Sequence, residues 1–210
     1  MEATAKYNRG NPAVKRILQE VKEMQSNPSP DFMAMPLEED IFEWQFAILG
    51  PRDSEFEGGI YHGRIQLPSD YPFKPPSFML LTVPSGRFEI QKKICLSISN
   101  YHPEHWQPSW SVRTALVALI AFMPTPGGGA LGSLDFKKED RRALAIKSRE
   151  TPPKFGSAER QKVIDEAIQK PKHDRLLTLA AFGLTLAIMA LVIKKFFKIN
   201  GLAGYIEGKF

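Results

Sequence analysis

The chain holds one thiol, Cys95, and just downstream of it a run of groups able to move protons: His102, Glu104 and His105. A thiolate is a strong nucleophile near neutral pH. An imidazole titrates in the range where a proton can be taken up and returned. Together they carry the parts of nucleophilic catalysis, provided that the fold aims a histidine at the sulfur and a third group orients it. Other readings stay open at this point. A lone cysteine is more often a small buried hydrophobe, and each loop histidine, like Glu104, serves equally as a locally bonded loop residue. Pairing of Cys95 with His62, His102 or His105 would also suit a cysteine hydrolase, although no hydrolase motif is present. A single cysteine excludes an intramolecular disulfide framework and any multi-cysteine zinc or iron–sulfur site, and no metal is expected. Gly127-Gly128-Gly129 is not a phosphate loop, because no strand leads into it and no Gly-Lys-Ser follows.

These residues need elements to hold them. Asn11-Pro12 supplies an N-cap followed by proline at the first helical position. Val14, Ile17, Leu18 and Val21 then follow the i, i+3, i+4, i+7 spacing of an amphipathic helix, which should end before Ser26-Asn27-Pro28. Phe42, Trp44, Phe46 and Ile48 alternate with Glu43, Gln45 and Ala47, the period of a strand, and Gly50-Pro51 breaks the run. Further strands are expected over 60–67 and 78–82, with a weaker one over 32–37, and short connections suit an antiparallel meander. Residues 83–110 form a long loop rich in Pro, Ser, His and Trp, and such loops are usually functional. Val112, Leu116, Leu119, Ile120 and Met123 mark an apolar central helix ended by Pro124. Asp135 is expected to cap a further helix to about Ser148, and Ser157 another to about Gln169. The fold class is α+β: a helix, a four-stranded antiparallel meander, the loop, then helices. Trp106 and Trp110 are expected to pack rather than to stack on a ligand.

The net charge of +5 is unevenly placed. Residues 1–136 are net −3, whereas 137–170 and 171–210 are each net +4. A nucleic-acid-binding domain carries its basic face on the folded part, so no nucleic-acid partner is expected. Leu176 to Ile193 is 18 residues without a charge, flanked by Asp174-Arg175 and Lys194-Lys195. At about 1.5 Å per residue it would reach across a thin bilayer, with the lysines snorkelling and Phe196 and Phe197 at the interface. The N-terminal residues offer no apolar signal segment. The expected organisation is a domain over 1–150, a basic helical linker over 151–175, a transmembrane anchor over 176–193 and a short tail over 194–210. Such an anchor is inserted after synthesis, leaving the domain in the cytosol, where a free thiol also fits.

Three elements together resemble the ubiquitin-conjugating (E2) enzymes. They are Tyr71-Pro72-Phe73-Lys74-Pro75-Pro76 after the third strand, Ile94-Cys95-Leu96, and Trp106-Gln107-Pro108 followed by Ser111-Val112 and an apolar helix. They occur in the family's order and cover about residues 10–150. Gly86-Arg87-Phe88 through Trp110, with the anchor, is most similar to the membrane-anchored J subfamily. The resemblance implies the ubiquitin-conjugating fold, with Cys95 accepting ubiquitin as a thioester from an E1 and passing it to a substrate lysine, or to a hydroxyl. It implies no cofactor on this chain, since the E1 uses the ATP. It implies an E1 contact on the first helix at Lys15 and Arg16. It also implies a RING-type E3 ligase docking at Phe73, Pro108 and Ser109, and an endoplasmic-reticulum membrane setting in protein degradation, with the mitochondrial outer membrane as the alternative. Most E2s carry His-Pro-Asn before the cysteine, whereas here Val83-Pro84-Ser85 stands, placing Ser85 in the asparagine slot with a shorter hydroxyl as donor. His102 and His105 are then candidates for handling the acceptor proton. The alternative function is an inactive E2-like scaffold that binds ubiquitin or ligases at the membrane.

Overall fold

The computed structural model describes residues 7–82, 84–150 and 162. Helix α1 (Pro12–Ser26) begins where the cap signal places it, with the Asn11 side chain accepting from the Ala13 amide at 2.8 Å. Strands β1 (Phe32–Pro36), β2 (Glu43–Leu49), β3 (Ile60–Gln66) and β4 (Ser77–Leu80) pair consecutively, all antiparallel, in the order β1-β2-β3-β4. Helices α2 (Val112–Phe122) and α3 (Lys138–Glu150) follow the long loop. The alternation read in β2 is real on one face: Trp44, Phe46 and Ile48 are buried, with the Trp44 indole donating to the Ile41 carbonyl. The register sets Phe46 against Ala34 on one side and Gly63 on the other. A β-carbon on Gly63 would lie 2.2 Å from Phe46 Cζ and 2.5 Å from the Met79 carbonyl oxygen, so only glycine lets that ring lie across the strand.

Helix α1 packs on β1 and α2, α2 on β2, and α3 on β3. One buried carboxylate joins three distant segments. Glu20 of α1 accepts from Tyr71 Oη at 2.7 Å, from Arg16 Nε at 2.5 Å and from the Val112 amide at 2.8 Å. The last bond satisfies a free amide at the start of α2, where negative charge is favoured. The expected cap of α3 is corrected: the helix starts at Lys138, and the Asp135 carboxylate pairs with Arg141 at 3.0 Å instead. Arg141 is buried and also bonds Glu55 at 2.8 Å, so that charge drew the carboxylate off its capping role. Burial works to raise the Glu55 pKa, but a bond from its own backbone amide and Arg141 hold it below the usual carboxylate range.

The linker over 151–175 (apart from Lys162), the span over 176–193 and the tail over 194–210 lie outside the described residues. Among the described residues no helix is long and apolar enough to cross a membrane.

Candidate active site

The loop after β4 is irregular but firmly tied down. Isolated bridges pair Met79 with Lys93, Leu80 with Ile90 and Phe88 with Ser133. Phe88, Ile94, Leu96, Ile98 and Trp106 all enter the core. Cys95 lies between two of these anchors and is half-buried, and its amide donates to the Leu131 carbonyl at 3.1 Å. The strand-like approach of 131–133 depends on Gly132. It sits at φ +73°, and a β-carbon there would meet the Lys93 carbonyl oxygen at 2.8 Å.

The sulfur faces an imidazole. His102 Nε2 stands 3.4 Å from Cys95 Sγ, and His102 Nδ1 stands 3.3 Å from Glu104 Oε1. The Glu104 carboxyl is held below the usual carboxylate range, first by a bond from its own backbone amide and then by His102 and His105. An ionised carboxylate only accepts, so a neutral imidazole bonded to it carries its hydrogen on Nδ1 and presents Nε2 to the sulfur as an acceptor. The turn that makes this possible is a 3₁₀ helix over Pro103–His105 with His102 at its N-cap. Three residues per turn eclipse positions i and i+3. The rings of His102 and His105 accordingly stack with centroids 5.7 Å apart.

A hollow of about 260 Å³ opens beside the sulfur, lined by Cys95, His102, His105, Arg87, Thr125 and Gly127 among others. Arg87 had no role assigned from the sequence. It is buried, donates to the carbonyls of Thr125 at 2.8 Å and Pro126 at 3.2 Å, and lies over the Phe88 ring. Burial, with Arg141 nearby, pulls its pKa below that of a free guanidinium. Its Nη1 has no hydrogen-bond partner among the described residues. The only sequence signal was its place between Gly86 and Phe88, which names no partner.

Ser85 does not line the hollow. It is fully buried, and its hydroxyl accepts from the amides of Arg87 at 3.1 Å and Phe88 at 2.9 Å. Its oxygen thus closes a turn by accepting two amides. His62 is buried in β3 and kept neutral, its pKa pushed down to about 3 by desolvation; it does not line the hollow either.

The remaining candidates lie on the outside. Lys15 is exposed, whereas the half-buried Arg16 spends its guanidinium on Glu20 and on the carbonyls of Trp110 at 2.8 Å and Ser109 at 3.4 Å. Phe73 is 72% exposed, and Pro108 and Ser109 are exposed. Their two loops are stapled together: the buried Trp106 indole donates to the Pro72 carbonyl at 2.7 Å, and its ring packs against Tyr71.

Residues 16–130 match the family model described as ubiquitin-conjugating enzyme, and the chain belongs to that family. Its described part has the family's fold, with an N-terminal helix, a four-stranded antiparallel sheet and helices after it. Within the family it is related to the J subfamily. It is 60% identical over 145 residues to human ubiquitin-conjugating enzyme E2 J1, covering 69% of this chain and 45% of that one. It is 81% identical over 167 residues to ubiquitin-conjugating enzyme E2 32 of Arabidopsis thaliana, covering 80% of this chain and 54% of that one. A solved ubiquitin conjugating enzyme structure from Plasmodium yoelii superposes with a TM-score of 0.54 at 22% identity, covering 67% of this chain and 97% of that one. The chain spans about half the length of these curated relatives.

Proposed function

We propose that the chain is an active E2 ubiquitin-conjugating enzyme in which Cys95 carries ubiquitin as a thioester. The observation that carries this reading is the row Cys95 Sγ, His102 Nε2, His102 Nδ1, Glu104 Oε1, with gaps of 3.4 and 3.3 Å at its two ends. The Cys95 thiolate attacks the carbonyl of the E1-bound thioester, and the E1 thiolate leaves. In the second step an acceptor attacks the Cys95 thioester, the new bond forms at the carbonyl carbon, and Sγ departs as thiolate. The acceptor's proton passes to His102 Nε2, and Glu104 steadies the imidazolium that results. A thioester is already activated, so the protein's contribution is positioning and proton transfer. A lysine acceptor sheds its proton readily once the carbon–nitrogen bond forms. A hydroxyl needs the base more, and this row would serve both.

ATP is consumed by the E1, and this chain requires no cofactor. The exposed Lys15 would meet the E1, and the stapled loops bearing Phe73, Pro108 and Ser109 would offer an exposed aromatic beside prolines to a RING-type E3. The apolar run 176–193 would anchor the chain in the endoplasmic-reticulum membrane for degradation of proteins there. The alternative address is the mitochondrial outer membrane.

Incubation with E1, ATP and ubiquitin, followed by a non-reducing gel, tests the reading. A thiol-sensitive adduct is expected, replaced in Cys95→Ser by a thiol-resistant oxyester. Absence of an adduct where a control E2 is charged would leave an inactive scaffold. Reaction of Cys95 with ester substrates but not with E1-bound ubiquitin would point to a hydrolase.

A further inference from the structure

The eclipsed turn does more than aim one imidazole. His102, Glu104 and His105 each offer a ligand atom within 4.8 Å of the other two. Three ligands around a tetrahedral zinc lie about 3.3 Å from one another, given bonds of about 2.0–2.1 Å. The pair His102 Nδ1 and Glu104 Oε1 already stands at that separation, 3.3 Å. His105 is exposed, and a turn of its ring out of the stack with His102 would close the remaining ångström or so, while its backbone stays fixed: its amide bonds the His102 carbonyl at 3.0 Å, and the next residue is the buried Trp106. Two imidazoles and a carboxylate with one open position form the donor set of zinc sites that keep a water. This set was not legible as a metal motif because the spacing i, i+2, i+3 is neither that of a helix nor that of a zinc finger. The 3₁₀ turn is what gathers it.

From this we infer that His102, Glu104 and His105 form a binding site for one divalent zinc ion at the mouth of the catalytic hollow, with Cys95 outside the ligand set. Its consequence for the site rests on the proposed thioester chemistry. Zinc on Nδ1 displaces the hydrogen there, and the neutral ring then carries its one hydrogen on Nε2. That nitrogen faces the sulfur at 3.4 Å, so His102 becomes a donor and can no longer accept the proton of an incoming acceptor. Zinc therefore slows discharge of the charged enzyme, most of all to a hydroxyl acceptor, and its removal releases the block.

The test uses the full chain in detergent and cobalt(II), then zinc, as probes. One equivalent of cobalt should give the visible bands of a four-coordinate ion without a sulfur-to-cobalt charge-transfer band, and zinc should displace it. His105→Ala and Glu104→Gln should each weaken uptake by about tenfold or more, with Cys95→Ser unchanged. Uptake that is lost in Cys95→Ser and kept in His105→Ala would overturn the site, as would no saturable uptake of one equivalent. For the coupling, the chain is charged with ubiquitin, freed of E1, and given lysine with or without zinc. Discharge should slow with zinc and recover with EDTA, and an unchanged rate at saturating zinc would overturn the block. A chain that fails to charge at all bears on the thioester reading alone, because the binding isotherm needs no ubiquitin.

Discussion

At the scale of single residues, the chemistry turns on the imidazole of His102, whose Nε2 stands 3.4 Å from Cys95 Sγ. Cys95 stood out as the only sulfur nucleophile in a motif context, but which of three histidines would face it depended on how 83–110 threads through the fold. His62 went to the sheet, where desolvation keeps it neutral, and His102 came to the sulfur because its turn hangs from the buried Trp106. Ser85 shows the opposite limit. Its position ten residues before Cys95 suggested a donor, yet its oxygen is used by two amides two and three residues on. If Nε2 takes the acceptor's proton, His102→Gln should slow discharge of the charged chain by about 10² or more. The loss should be larger for a hydroxyl acceptor than for an amine. Single-turnover discharge measured for both acceptors checks this, and equal rates in the variant and the parent chain would take His102 out of the proton path.

Among elements, the helix and strand starts were readable wherever the signal was local. Asn11-Pro12 set the start of α1, and the period of two set β2. Errors arose where a partner outside the local helix signal claimed the group. Asp135 left the start of α3 to pair with Arg141. Arg16, expected with Lys15 at the E1 contact, is half-buried and braces the carbonyls of residues 109 and 110. The Glu20 carboxylate is the strongest such join. Glu20→Ala would leave the Tyr71 hydroxyl and the Val112 amide buried without their partner, and each such group costs about 1–3 kcal/mol. A loss on the order of 3 kcal/mol in denaturant unfolding is expected. A change below about 0.5 kcal/mol would mean that water or a neighbour replaces the carboxylate.

For the whole molecule, splitting the charge by position mattered more than its sum. Residues 1–136, net −3, and residues 137–210, net +8, have different surroundings to satisfy. The proposed anchor predicts that the full chain stays with membranes through alkaline carbonate extraction and that deletion of 171–210 releases it. Extraction of the intact chain would refute a span. The domain is likewise held by contacts distant in sequence. Glu20 meets Tyr71 across 51 residues and Val112 across 92. Loop-closure entropy has to be overcome before such bonds form. A group that joins after the transition state acts mainly on the rate of unfolding. If the Glu20 knot closes after that point, it is a latch on the lifetime of the folded enzyme: loosening it would leave refolding nearly as fast while the native state opened far more often.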